Sequence, residues 1–451
     1  MTNHPLELTM ETRFVGLDVH REVLQACILD AQGRLLERHR FDLTRPHLEA
    51  FIRERLRPQD RVALEATTNT WAVVDLLEPH VAEVVVGNPL RTRAIAEAKV
   101  KTDKVDAEVL AQLLRCDYLP RVWQPDAATR RLRELTAHRA GLVADQTRLK
   151  NRIHSLLAQR LLRVPVAVLF SQPGRAWLNQ LALSESDRLM LAGHLGRIDQ
   201  LQADLASVEK HLAEISYPCQ EVRLLMTLPG MGAAAAQGLW AALGDWRRFR
   251  DGDQAASYLG LVPSTRQSAS ACRHGSITKA GNSHARWLLT QAAQHLALHA
   301  GPLGVFFRRL ARRKNHNIAV VAAARKLVAI AWLMLKNGEP YRYSRPESTR
   351  AKLSAFRTLA TGQRRKKRPL RDRPQRRAPG ERTHRTEGLN EIYASEGLPP
   401  ITASEQLADG ERRALEALGL GALPQEVQTP RRRLSRRQPS PRARGVPVPR
   451  V

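Results

Sequence analysis

Cysteine is scarce in this chain. Its 451 residues hold four, Cys27, Cys116, Cys219 and Cys272, far apart and with no CxxC pair. That argues against a cysteine-based zinc site and against a disulfide framework. Acidic residues are in deficit: 44 Asp and Glu face 72 Lys and Arg, a formal net charge of +28. An excess of that size points to a polyanionic partner, with nucleic acid as the default. No amphipathic basic helix stands out, so a membrane surface is the weaker option. No apolar run near 18 residues and no leader with an apolar core stand out either, which leads us to expect a soluble, cytoplasmic protein.

The hydrophobic share of 43% over this length predicts two or three domains, each with a real core. Phe14 to Val19, Val23 to Leu29 and Leu35 to Phe41 read as three strands with short links. A helix over about 46–57, a strand Arg61 to Glu65, a helix Trp71 to Leu77 and a buried strand Val81 to Val86 follow. The next helix opens near Thr102, a candidate N-cap, with Val105, Val109, Leu110 and Leu113 at helical spacing. The order strand, strand, strand, helix, strand, helix, strand, helix is that of an α/β RNase H-like fold.

In that arrangement acids gather at strand ends and on the last helix. Asp18 lies on the first strand, Glu65 ends the fourth, and Asp103 and Asp106 open the helix three residues apart. Helical spacing puts the last two on one face. Two such carboxylates repel, and a divalent cation between them would relieve the cost. Solvated first-turn acids are the simpler alternative for that pair alone. Four acids against a strongly basic background fit Mg²⁺, with Mn²⁺ as a substitute, held as two ions about 3.5–4 Å apart on a phosphate.

From about Ala127 the period changes. Leu135, Leu142, Leu149 and Leu156 are spaced by seven, and Ile198, Leu201, Leu205, Val208, Leu212 and Ile215 alternate by three and four. These predict two long coiled-coil-like helices, forming either an intramolecular hairpin or a dimer seam, with a Gln172-Pro-Gly174 turn between them. Arg130, Arg131, Arg133, Arg139, Arg148, Lys150 and Arg152 crowd the first helix, as a solvated face or a phosphate-facing stripe. Leu228-Pro-Gly-Met-Gly232 reads as a glycine turn between helices. Residues 264–282 combine Arg266, Ser268, Ser270, Arg273, Ser276 and Lys279 without apolar periodicity and read as a long polar loop, with helices from Arg286 to Leu298 and Ile318 to Leu335 beyond it. Beyond Tyr343, residues 345–451 carry 25 Lys and Arg, 11 Asp and Glu and 12 of the 26 prolines. They read as a basic, mostly disordered tail with one short helix near Glu405 to Leu418.

The ordered set Gly16-Leu-Asp-Val19, Leu64-Glu-Ala-Thr67, Asn88-Pro89 and Lys101-Thr-Asp-Lys-Val-Asp-Ala107 resembles the RuvC-like DEDD domain of a group of insertion-sequence transposases. Leu228-Pro-Gly-Met-Gly232, Gly260-Leu-Val-Pro263, Ser268, and Ile277-Thr-Lys279 with Gly281-Asn282 resemble their C-terminal domain. These recombinases are related to the Piv-type DNA invertase and are associated with a bridge RNA. The resemblance covers roughly residues 12–340. It implies a RuvC-like domain over 12–122, a coiled-coil-like region over 127–216, a mainly α transposase domain over 222–343, and a tail over 345–451 outside the family pattern.

Carried over, Asp18, Glu65, Asp103 and Asp106 would bind metal and Ser268 would be the nucleophile. Arg266, Arg273, Lys279 and Arg286 would meet nucleic acid. DNA, a non-coding guide RNA and a homo-oligomer are the implied partners, in a nucleoid-associated bacterial protein. Two departures stand out. Ala269 replaces the usual glycine after the serine, leaving Ser270 and, more distantly, Ser276 as rivals. Thr68 replaces the glycine after Leu64-Glu-Ala-Thr67. The rival functions are a RuvC-like nuclease that uses water and a non-enzymatic nucleic-acid-binding protein.

Overall fold

A computed structural model describes residues 12–95, 103–268, 271–363 and 381–436. Thr102, Ala269 and Ser270 lie outside these residues. The chain divides into two compact units, Met1–Pro125 and Asp126–Val451.

The first unit is built on a five-stranded sheet of order β3-β2-β1-β4-β5. Its strands are β1 (Phe14–Val19), β2 (Val23–Leu29), β3 (Leu35–Asp42), β4 (Arg61–Glu65) and β5 (Glu83–Gly87). β1 pairs antiparallel with β2, and β2 with β3, whereas β1–β4 and β4–β5 are parallel. The period-2 pattern sends Val15, Leu17 and Val19 to one face, where they meet Val62, Leu64 and the helices α1 (Arg45–Arg55) and α2 (Thr70–Leu77). Phe14, Cys27, Leu29, Ala63 and Val85 line the other face. A short helix α3 (Pro89–Ile95) precedes α4 (Asp103–Arg115), which covers this second face.

The buried face of α4 departs from the sequence expectation. Ala107, Leu110, Ala111 and Leu114 are buried, while Val105, Val109 and Leu113 are only half-buried. The reason is the closeness of the packing. A Cβ on Gly16 would run into the Ala107 carbonyl and come within 2.7 Å of the Ala111 nitrogen. Only small residues on both sides allow that approach, so alanines rather than valines face the strand.

The second unit is mostly helical. Its long helices α5 (Ala127–Gln159) and α7 (Glu185–Ser216) pack against each other. They are antiparallel, because Arg139 bonds Glu209 near one end and Arg160, just past α5, bonds Asp187 near the other. Thr136, Leu149, Ile153, Leu156, Ile198 and Leu212 are buried, whereas Ile215 points to solvent at 40% exposure, outside the seam the spacing predicted for it. The expected turn at Gln172-Pro-Gly174 is instead the first turn of α6 (Gln172–Gln180), where Ser171 caps and the proline costs no hydrogen bond.

Helices α8 (Gln220–Met226), α9 (Ala233–Leu243) and α10 (Gly252–Tyr258) are followed by strands β6 (Pro263–Ser268) and β7 (Ala271–Ile277). Then come α11 (Ser283–Gln294), α12 (Pro302–Arg313) and α13 (His316–Asn337). The 22-residue α13 is long and apolar enough, by length and composition, to cross a membrane, which the sequence reading missed. In this fold it is the axis of the core: Ala323, Ala324, Leu327, Val328 and Ala331 are fully enclosed by the surrounding helices.

The expectation of a mostly disordered region after residue 345 is corrected by the structure. Residues 346–361 form α14 (Pro346–Thr361), with α15 (Leu389–Ser395), α16 (Asp409–Ala417) and α17 (Leu423–Gln428) beyond it. Strands β8 (Glu381–Thr386) and β9 (Arg431–Arg436) pair antiparallel. Leu353, Phe356, Leu389, Ile392, Tyr393, Leu398, Ile401, Leu407, Leu415 and Val427 join the same core as α13. Lys352 Nζ donates to the carbonyls of Met226, Leu228 and Met231 at 2.6, 2.8 and 3.1 Å, and the Tyr393 hydroxyl donates to the Tyr341 carbonyl at 2.8 Å. The apolar anchors are spread singly between basic, proline-containing runs, so net charge dominates any short window of the sequence. The basic run 364–368 and residues 437–451 lie outside the described residues.

Candidate active site

The first unit concentrates carboxylates at one end and on one face of its sheet. Parallel pairing aligns Leu17 with Leu64, so the next residues, Asp18 and Glu65, stand at the carboxyl ends of adjacent strands. Period 2 puts both on the face that carries Phe14, Gly16 and Ala63, the face covered by α4. The helix runs antiparallel to β1. Gln112, near its C-terminus, donates to the Gly33 carbonyl in the turn beside the start of β1, while Ala107 lies over Gly16. The N-terminus of α4, with Asp103 first and Asp106 one turn on, is therefore at the Asp18–Glu65 end. Asp18, Glu65 and Asp106 are all partly accessible, unlike the sealed core beneath them. The side chain of Asp103 lies outside the described residues.

His20 is a neighbour that sequence reasoning missed. Its Nε2 is 3.0 Å from Asp18 Oδ2, and Asn69 Nδ2 donates to the His20 carbonyl at 3.2 Å. Asn69 belongs to the turn that follows Glu65. There Thr70 Oγ1 accepts from the Thr67 amide at 2.6 Å and donates to the Thr67 carbonyl at 3.0 Å. The turn tolerates Thr68, which is exposed and has no left-handed φ, so the departure from glycine strains nothing. The only sequence signal for His20 was its place two residues after Asp18 on a strand end.

Asp18, Glu65 and Asp106 offer carboxylate oxygens, the ligand type that Mg²⁺ and Mn²⁺ take, and no sulfur ligand stands on that edge. The donor set fits such an ion. Among the described residues, no three His, Cys, Asp or Glu side chains are close enough together to hold one. Cys27, on the same face, is fully buried, and that burial pushes its thiol up to about 11.

The predicted polar loop at 264–282 is instead an exposed antiparallel hairpin. β6 and β7 pair Thr265 with His274, Arg266 with Arg273, Gln267 with Cys272 and Ser268 with Ala271. Ser268 is the last residue of β6 and is exposed. Register puts Arg266, Ser268 and Arg273 on one face and Thr265, Gln267, Cys272 and His274 on the other. Two guanidinium-bearing residues directly opposite each other repel, and an anion on that face would offset the cost. Ser276 sits further along β7, its carbonyl accepting from Ser264 Oγ at 3.2 Å.

The base of this hairpin explains several of the glycines and polar residues noted in the sequence. Thr278 donates its amide to the Val262 carbonyl at 3.0 Å, and Lys279 donates to that of Gly260 at 3.2 Å. Lys279 has φ +55°, and Gly281, φ +68°, leaves no room for a Cβ beside the Tyr258 carbonyl. Asn282 then caps α11 by accepting from the Ala285 amide at 3.0 Å. Arg286 Nη1 donates to the Ala280 carbonyl at 2.6 Å and to that of Leu259 at 3.2 Å. Its guanidinium pins the hairpin base, a structural task distinct from the nucleic-acid contact expected of it. Lys279 remains exposed.

One family model, described as Transposase, matches residues 15–161, and a second, described as Transposase IS116/IS110/IS902 family, matches residues 222–304. A probable family 20 transposase of Pseudomonas aeruginosa is 25% identical over 344 residues, which is 73% of this chain and 98% of that protein. The transposase for insertion sequence element IS1111A of Coxiella burnetii is 24% identical, covering 74% of this chain and 92% of that protein. The pilin gene-inverting protein of Moraxella bovis is 24% identical, covering 74% and 98%. Matched by both family models and by whole-length relatives, the chain belongs to the DEDD-type IS110/IS116 family of insertion-sequence transposases and is a DNA transposase.

Proposed function

We propose that this transposase cuts and rejoins DNA with two sets of groups: the acids Asp18, Glu65, Asp103 and Asp106, and the hydroxyl of Ser268. The observation that carries the reading is the convergence of Asp18, Glu65 and the start of α4 on one sheet edge. The strand order, two antiparallel pairings followed by two parallel ones, supports an RNase H-like, RuvC-like identity for this unit. The antiparallel α5–α7 pair supports a coiled-coil-like middle region. Asp18, Glu65, Asp103 and Asp106 would hold a divalent cation, which would supply Lewis-acid stabilisation of charge on the scissile phosphate.

The protein groups then have defined tasks. Ser268 Oγ attacks the phosphorus, forming a serine phosphodiester as the bond to one deoxyribose oxygen breaks, and that oxygen leaves with a proton. The reverse attack by a hydroxyl of a new strand restores the DNA backbone and frees the serine, so bond energy is conserved. Arg266 and Arg273, on the face of Ser268, offset the negative charge of the attacked phosphate. His20 orients the Asp18 carboxylate. The name of the Moraxella relative, a gene-inverting protein, favours rejoining over simple hydrolysis. A guide RNA that selects the DNA, and a homo-oligomer that pairs two element ends in the bacterial cytoplasm, complete this reading.

The test is a suicide DNA substrate that traps the cleaved state, followed by mass spectrometry of the digested protein. A nucleotide on Ser268 is the expected result. A nucleotide on Ser270 or Ser276 would move the nucleophile, and cleaved ends without any adduct would favour a water-using nuclease.

A further inference from the structure

The pairing of β1 with β4 stops just short of the acids. Its register runs from Phe14–Arg61 to Leu17–Leu64 and ends there. Asp18 is paired instead with Gln25 of β2, and Glu65 with Gly87 of β5. The ladder therefore holds each of these residues to the strand on its far side. The spacing between Asp18 and Glu65 is thus open to what lies just beyond the strand ends.

The Asn69 carboxamide crosses that gap. Its Nδ2 donates to the carbonyl of His20, in the turn after β1, at 3.2 Å. Its Oδ1 accepts from Thr67 Oγ1, in the turn after β4, at 2.9 Å. Both ends are anchored. His20 donates its amide to the Val23 carbonyl at 3.0 Å, and its ring stands 3.0 Å from Asp18 Oδ2. On the other side, the hydroxyl of the buried Thr70 accepts from the Thr67 amide and lies 3.3 Å from the Glu65 carbonyl oxygen. Asn69 also stands just before α2, a place where asparagine commonly caps a helix with its side chain. Here it makes no side-chain cap bond. The carboxamide is committed to the crossing rather than to the helix.

We propose that Asn69 is a positioning residue of the acid edge: it ties the turn after β1 to the turn after β4 and so fixes the spacing of Asp18 and Glu65. The proposal rests on the reading of these carboxylates as ligands of a divalent cation. Mg²⁺ demands near-ideal octahedral geometry at about 2.0–2.1 Å, whereas Ca²⁺ accepts flexible coordination at about 2.3–2.6 Å. A tie across the ligand pair therefore favours the smaller ion, and its loss penalises Mg²⁺ more than Ca²⁺.

The test is Mn²⁺ binding by the full-length protein, read from the electron paramagnetic resonance signal of the free ion, with Mg²⁺ or Ca²⁺ as competitor. Asn69→Ala should weaken competition by Mg²⁺ about tenfold, the scale seen for residues that orient metal ligands, and competition by Ca²⁺ much less. Asn69→Asp keeps the acceptor for Thr67 and loses the donor to His20. Its added charge attracts both ions alike, so it should show the same fall in the preference for Mg²⁺ over Ca²⁺. The urea midpoints of both variants without metal should match wild type. An unchanged preference in both variants would overturn the proposal and leave the acid site standing. Wild-type protein that binds no Mn²⁺, or Mn²⁺ binding undiminished by Asp106→Asn, would overturn the reading and the proposal together. Equal loss of Mg²⁺ and Ca²⁺ competition with a lowered metal-free midpoint in both variants would overturn it by assigning Asn69 to the fold alone.

Discussion

The acid edge and the serine hairpin are held by opposite means. Asp18, Glu65 and Asp106 ride on elements whose other residues are packed solid: Leu17, Leu64 and Ala111 are fully buried, and α4 touches β1 at van der Waals limits. Position there follows from the core. In the β6–β7 hairpin every residue of β6 is exposed, and the serine is fixed by the backbone ladder, the stitched base and a few exposed side-chain bonds. On the proposed reading, metal-binding carboxylates would need geometry held within tenths of an ångström, and a serine that engages and then releases a DNA strand would gain from a mount that bends. A hairpin with little buried area belongs to the low-stability end of a fold.

That contrast can be broken by adding one methyl group to each region. Gly16→Ala forces α4 off β1 and should destabilise the first unit by about 3 kcal/mol, with loss of cleavage. A urea titration reads the stability. Gly275→Ala, in the hairpin, meets only Ser264 Oγ at 2.5 Å, a group that can rotate away, and should leave the urea midpoint nearly unchanged. Equal midpoints for the two variants would refute the difference in mounting.

Asp106→Asn comes next in effect. It should lower strand cleavage by at least about 10²–10³-fold while DNA binding in a gel-shift assay persists. Excess chelator should reproduce the loss with wild-type protein, and Mn²⁺ should restore it. Ser268→Ala should abolish the trapped adduct but change unfolding stability by less than about 0.5 kcal/mol, as expected for an exposed side chain. An unfolding shift much larger than that would mean the hairpin is more tightly packed than its exposure indicates. The smallest effect belongs to Arg266→Ala, which relieves repulsion with Arg273 and removes one phosphate contact. The salt slope for DNA should fall by about 1, with no loss of hairpin stability.

Much of the first unit was legible because its strands are short apolar runs broken by turn residues. β1, β2 and β4 begin and end where the sequence pattern put them. Asp18, Glu65, Asp103 and Asp106 stood out as candidates from their places at strand ends and a helix start. His20 could not, because a lone histidine after a strand carries no periodic signal. The serine segment was misread as a loop because β6 and β7 bury neither face, so no apolar alternation marks them. The region after residue 345 was misread for a related reason: Leu353, Phe356, Ile392 and Tyr393 are core residues set among basic runs.

The sequence by itself determined the sheet's strands, the two long helices, the acids available for metal chemistry and the positive charge that selects a polyanion. These are local or additive properties, carried by period, spacing and composition. Only the tertiary structure decided that alanines face Gly16, that Arg286 ties the base of the β6–β7 hairpin, and that Lys352 is held by three backbone carbonyls of the core. Each depends on which residues meet across long separations, and that is set by close packing and hydrogen-bond satisfaction.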